Sequence, residues 1–397
     1  MTEVELFRIR VALVQAFLRE HHYDGILLSR VDNFAMATGG KRNYVNFASD
    51  MGANSLFITK DGAVYFVGNT IEEPRVMAEE LQALGCESKS FLWFDDEPAN
   101  VVKNTFSGTL VSDDGSLGAN VNEDLAYLRA LLSPGELDKY RKLGALAAES
   151  MMATLDAIKP GMAEADIAAA LIAEGAKRRC MVPVALIAAD DRIAQFRHPL
   201  PTACPLTQGS LKEKTVKRYV MVVGCFFREG LVASITRFKQ VGDVPANIHD
   251  AYNRICGVDA IMQEESVPGK TLGDVFAACQ SAYKTLGFPE NEWHNHHQGG
   301  TTGYSARTAK GAPGEAFRIA DETWSKRVKD IAGIDISFGH AFAWNPSGVG
   351  VKSEDTFILT ADGATEIVTA TPDLPAVDLE SVLGRATKVL KSGMAKV

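Results

Sequence analysis

The chain has 397 residues, of which 46% are hydrophobic, and a formal net charge of -9. That length suits two domains, each able to bury its own core. The acidic balance argues against a nucleic-acid surface, which needs a basic stripe, and no apolar run reaches the roughly 18 residues of a membrane span.

Val4, Leu6, Ile9, Val11, Leu13, Val14, Phe17 and Leu18 recur at helical spacing, so residues 4–20 are expected to form an amphipathic helix. The stretch lacks the apolar region and cleavage site of a signal peptide. Short β-rich runs follow: GILLS (25–29), NSLFITKDGAVYFVG (54–68) and GTLVSDDGS (108–116). The second reads as a hairpin turning at Lys60-Asp61-Gly62. Helices at about 71–84 and 122–131 separate these runs. Alternating strands and helices indicate an α/β domain over residues 1–132. Ser133-Pro134-Gly135-Glu136 is a capping box with proline at the first helical position. It opens a long helix through Ile158, which Lys159-Pro160-Gly161 stops. A helix end, Pro-Gly and a second helix occur at 157–179 and again at 266–287. Two such units imply paired α+β halves over 133–375 with a site between them. Residues 376–397 read as a linker and a terminal helix from about Asp378. Cys86, Cys180, Cys204, Cys225, Cys256 and Cys279 are scattered without a CxxC pair. That points to reduced thiols and a cytoplasmic setting.

The residues that can carry chemistry lie in the second domain. His198, in AQFRHPLPT (194–202), has an imidazole suited to acid/base work near neutral pH. In WHNHHQGGTTGY (293–304), three His invite a zinc reading. On a strand, however, His294 and His296 share one face and His297 takes the other. No Cys or carboxylate cluster stands nearby, so no metal is assigned. Gly299 and Gly300 would let a ligand approach the backbone. In VKSEDTFIL (351–359), alternation puts Lys352, Glu354 and Thr356 on one face. Glu354 could hold a cationic nitrogen, act as base, or pair with Lys352 or Arg307. Arg307 could receive a substrate carboxylate. Ser234 lacks a GxSxG elbow and is no nucleophile. Cys225 reads as a packed thiol, and Arg42 and Tyr44 as loop residues able to cap a substrate.

Four stretches resemble, in order and spacing, the pita-bread family of methionine aminopeptidase, aminopeptidase P, prolidase and creatinase. They are YVMVVGCFFREGLVASITR (219–237), HHQGGTTGY (296–304), AFAWNPSG (341–348) and VKSEDTFIL (351–359). The resemblance implies an α+β pita-bread C-terminal domain behind a smaller creatinase-type α/β domain. Metal-dependent members supply two Asp, one His and two Glu from these segments. Here Val223, Ser234, Gly300 and Asn345 stand at the first four places, and Glu354 alone matches. Neither valine nor glycine can ligate a hard cation, so no metal and no other cofactor is expected. The resemblance to creatinase implies that His198 shuttles the proton in a metal-free hydrolysis, with Glu354 as its catalytic partner. His296, His297, Arg307, Asn345 and Ser234 are then substrate-binding. The expected activity is hydrolysis of a C–N bond in a small amino-acid-like or amidino compound. Two alternatives stand beside it: an Xaa-Pro aminopeptidase or dipeptidase-like metallopeptidase, and a non-catalytic binding module of the same fold. The expected partners are a small-molecule substrate and a second copy of the chain, as a homodimer, with no nucleic acid and no membrane.

Overall fold

The computed structural model describes residues 1–202 and 213–396. Cys204 lies outside them. The first helix, Glu3–Glu20, starts at a capping box in which Thr2 accepts the Glu5 N–H, as helix starts favour. Behind it lies a five-stranded sheet of order β4-β3-β2-β1-β5. Its strands are β1 (Gly25–Arg30), β2 (Met51–Thr59), β3 (Val64–Asn69), β4 (Glu87–Phe91) and β5 (Leu110–Ser112). β2 and β3 form the expected hairpin, with Gly62 at φ +115° in its turn. The segment from Glu73 to Leu84 is helical, loosened at Met77–Leu81 and tightened at Gln82–Leu84. The expected helix near 122–131 shortens to Ala126–Ala130.

Ser133 and Glu136 make the capping box of the Pro134–Ala157 helix. Two further sheets follow. One has the order β16-β8-β7-β6, from β6 (Met181–Ala189), β7 (Tyr219–Arg228), β8 (Leu231–Gln240) and β16 (Ala395–Lys396). The other has the order β10-β9-β11-β14-β15, from β9 (Gly299–Thr302), β10 (Ala309–Lys310), β11 (His340–Trp344), β14 (Asp355–Leu359) and β15 (Thr365–Ile367). A short ribbon of β12 (Ser347–Gly348) and β13 (Val351–Lys352) joins β11 to β14. β7 and β8 are buried along almost their whole length, which explains their unbroken apolar runs. Helices Pro134–Ala157 and Glu164–Lys177 pack on the first of these sheets, and Ala246–Glu265 and Leu272–Thr285 pack beside the second. The sheets meet where the Thr236 N–H donates to the Glu354 carbonyl at 3.1 Å. This mixed architecture is a pita-bread fold behind an α/β domain.

Two elements differ from expectation. The terminal helix is only Leu379–Leu383, ended by Gly384 in the left-handed region at φ 64°. The chain then runs extended, and Ala395 pairs in parallel with Lys239 of β8. An open sheet edge offers backbone partners that a short terminal helix cannot match. The 293–304 run is also not one strand. Pro289 takes the Glu292 N–H at 3.0 Å, a 3-10 turn covers Glu292–Asn295, and β9 begins at Gly299.

Candidate functional site

The candidate site gathers residues from distant segments of the chain. Glu354 follows β13 and is 2% exposed. Its Oε1 accepts from Arg307 Nη2 at 2.6 Å and from Asn345 Nδ2 at 3.3 Å, and its Oε2 accepts from Thr236 Oγ1 at 2.8 Å. Both oxygens of the carboxylate are therefore engaged by the protein's own donors, and its charge is matched by Arg307. Arg307, expected to receive a substrate carboxylate, already uses its Nη2 in this ion pair, while its Nε has no partner among the described residues. Ser234 lies buried in β8, 3.2 Å from Cys225 Sγ and 3.5 Å from Arg307 Nη1. No base faces its hydroxyl among these partners, and burial raises the pKa of the Cys225 thiol, which favours the inert, protonated form.

The three imidazoles come together from distant parts of the chain. His198 sits in the loop after the short Arg192–Gln195 helix, not at a strand end. Its Nε2 is 2.9 Å from His296 Nε2. His297 stacks on His296 with ring centroids 4.3 Å apart. Gln298 holds this segment: its Oε1 accepts from Tyr283 Oη at 2.9 Å, and its Nε2 donates to the Trp293 carbonyl at 2.9 Å. Lys352 completes the cluster. It is 2% exposed, and its Nζ lies 2.9 Å from the same His296 Nε2. One ring nitrogen offers one lone pair or one hydrogen, so it cannot satisfy both neighbours at once.

Burial, then the Lys352 charge, depresses the pKa of His296. Burial, then Arg307, pushes His297 down to about 3. His198 keeps an exposed face, yet desolvation of its inner edge and then Lys352 lower its pKa too. Lys352 itself is pushed down to about 8, mainly by burial. All three rings are neutral at pH 7 in this setting. Lys352 and Thr236 are the residues that sequence reasoning missed. Lys352 was placed on the Glu354 face, but only as a partner for that carboxylate.

The glycines serve packing, not ligand access. A Cβ on Gly300 would stand 1.9 Å from the Ala309 carbonyl oxygen of β10, and one on Gly299 would stand 2.2 Å from the Ala343 oxygen. The room expected at Gly300 is filled by the neighbouring strand. Arg42 pairs with Glu80 at 2.6 Å and, with Tyr44, lines a separate 440 Å³ cavity beside Glu229.

The sheets, the helices around them and this pocket define a two-domain pita-bread protein with its polar site between the halves. The chain belongs to metallopeptidase family M24, whose model matches residues 138–361. No curated protein matches it in sequence. Among solved structures it resembles dipeptidase PepE from Mycobacterium ulcerans, at 15% identity and a TM-score of 0.69, covering 100% of this chain and 99% of that one. It also resembles the prolidase from Pyrococcus horikoshii OT3, at 16% identity and 0.66, covering 91% and 98%. A third likeness is to the N-terminal domain of FACT complex subunit SPT16 from chickpea (Cicer arietinum), at 12% and 0.62, covering 96% and 99%.

The family name implies a metal centre, and the residues present do not fit a dinuclear one. Val223, Ser234, Gly300 and Asn345 contribute no anionic donor, and both Glu354 oxygens are engaged. Hard divalent ions need carboxylate-rich shells. His198, His296 and His297 do bring ligand atoms within 4.8 Å of one another. Imidazoles alone suit a borderline ion such as zinc, but Lys352, Arg307 and Lys310 place positive charge beside these rings, which opposes a cation there.

Proposed function

We propose that this protein hydrolyses a C–N bond in a small amino-acid-like or amidino compound without the two-metal centre of its family, using His198 as acid and base. The observation that carries this reading is the partly exposed His198, whose Nε2 lies 2.9 Å from a neutral His296 that also meets the buried Lys352. A neutral imidazole can take a proton from a water attacking the carbon. It can then return that proton to the departing nitrogen. The test is a hydrolysis screen of dipeptides, cyclic amino acids, guanidino acids and amidines on wild-type and His198→Ala protein. Turnover by wild type alone supports the reading. Equal turnover by both removes His198, and none by either favours a binding module.

The metallopeptidase reading draws support from the family name, and the donor set opposes it. Protein purified without chelator should carry far fewer than two metal ions per chain by mass spectrometry. Mn, Co or Zn should not raise its activity on dipeptides. Two tightly bound ions whose loss abolishes activity would overturn the metal-free mechanism.

We further propose that the protein is cytoplasmic and works as a homodimer. Trp93 and Phe94 are 63% and 68% exposed, and exposed apolar side chains of this size favour association. Light scattering should give twice the 42.8 kDa of one chain. A monomer at micromolar concentration would reject the dimer.

A further inference from the structure

The replaced ligands reverse the charge of the pocket. Glu354 and Arg307 cancel one another. Lys352 is left over: it is 2% exposed, and among the described residues no carboxylate lies within salt-bridge reach of its Nζ, whose bond is to His296. A buried charge is normally paired, because removing it from water is costly. The polar atoms left without partners nearby are four nitrogens, Arg307 Nε, Arg197 Nη1 and the Nδ1 atoms of His296 and His297, against the oxygens Asn345 Oδ1 and Ser347 Oγ. Arg197 Nη2 already binds Glu292, and Lys310 adds further positive charge toward the His198 and His297 rings. Such a surplus of donors and positive charge is complementary to an anion and repels a cation.

We propose that Lys352 is the anion-binding residue of this pocket and that it receives a substrate carboxylate, with the His297 ring beside it. The proposal rests on the pocket being the substrate site, as in the hydrolase reading, and it narrows the substrate class. Carboxylate-bearing amino-acid-like compounds fit. Free amidines and guanidines fit poorly, because the one carboxylate that could hold them is already paired with Arg307 and bonded to Asn345 and Thr236.

Binding to the full-length chain tests this without requiring turnover. The probes are acetate, N-acetylglycine, proline, inorganic phosphate, guanidinium and acetamidinium at matched ionic strength, read by titration calorimetry and thermal shift. Wild type should bind N-acetylglycine or proline and be stabilised by it, with no stabilisation from guanidinium or acetamidinium. Lys352→Met, which keeps the shape and loses the charge, should weaken carboxylate binding about 10- to 100-fold, as expected when a charged hydrogen bond is lost. Lys352→Arg should restore most of it. His198→Ala should still bind, so a failed hydrolase reading and a failed anion site give different results. Three outcomes would overturn the proposal: acetamidinium binding as tightly as the carboxylates, phosphate binding with no carboxylate bound, or unchanged carboxylate affinity in Lys352→Met. The wild-type comparison of acetate with acetamidinium decides the matter even if Lys352→Met does not fold.

Discussion

Replacing His198 with alanine should lower turnover by about 10²–10⁴-fold, the usual contribution of a general acid or base, while the protein stays folded. The residue lies in an exposed loop position and makes one side-chain hydrogen bond, to His296. Its removal therefore costs little packing. The pH profile follows from the neighbours. The neutral ring is the working base, and its pKa is held below the ordinary value by desolvation and by Lys352, with Glu354 opposing in part. Activity should persist through pH 6.5 and fall only at lower pH. On the alkaline side, Lys352 loses its proton near pH 8, so affinity for an anion should decline above that. Burial sets this value first, with Glu354 opposing it and Arg307, Cys225 and Arg197 contributing, and His296 bonds the ammonium. Lys352→Met should remove the alkaline limb and move the acid limb up toward the ordinary imidazole range. Full turnover in His198→Ala would exclude His198 from the reaction.

Much of the architecture was legible because it is written in local chemistry. The capping box at Ser133, the Lys60-Asp61-Gly62 turn and the buried runs of β7 and β8 each follow from neighbouring residues. The order of the four motif segments led to the family, and it also exposed the missing ligands. What local pattern could not give was the partner of each polar group. Arg307 and Glu354 are 47 positions apart, so their ion pair is invisible to spacing. Alternation put Lys352 on the correct face, but only the fold brings His296 to its ammonium. Gly300 misled for a related reason: a missing side chain reads as empty space until the β10 backbone is seen against it. The end of the chain was misread because its last strand depends on the free edge of β8, more than 150 positions earlier.

The largest expected loss of stability lies away from the pocket. Glu136 is fully buried and serves three partners at once. Its Oε2 accepts the Ser133 N–H at 2.8 Å, closing the helix cap. Its Oε1 accepts from Arg10 Nε at 2.8 Å and from the hydroxyl of Tyr304. Arg10 is equally buried and also donates to the Leu128 carbonyl at 3.0 Å. One carboxylate thus joins the first helix, the start of the second domain and the residue two places beyond β9. Removing one member of a buried pair strands the other charge, which typically costs about 3–5 kcal/mol. Glu136→Ala should show a loss of about that size in urea unfolding. The exposed pair of Glu20 and Arg327, at 2.6 Å, provides the control, since surface pairs contribute about 0–1 kcal/mol. Arg10→Met combined with Glu136→Leu should cost less than the two single changes summed, because no buried charge is then left alone. A Glu136→Ala loss no larger than that of Glu20→Ala would show that the buried pair does not hold the domains. Because Tyr304 follows the strand that carries Gly299 and Gly300, loosening this joint should also weaken carboxylate binding, which couples the stability of the first helix to the pocket.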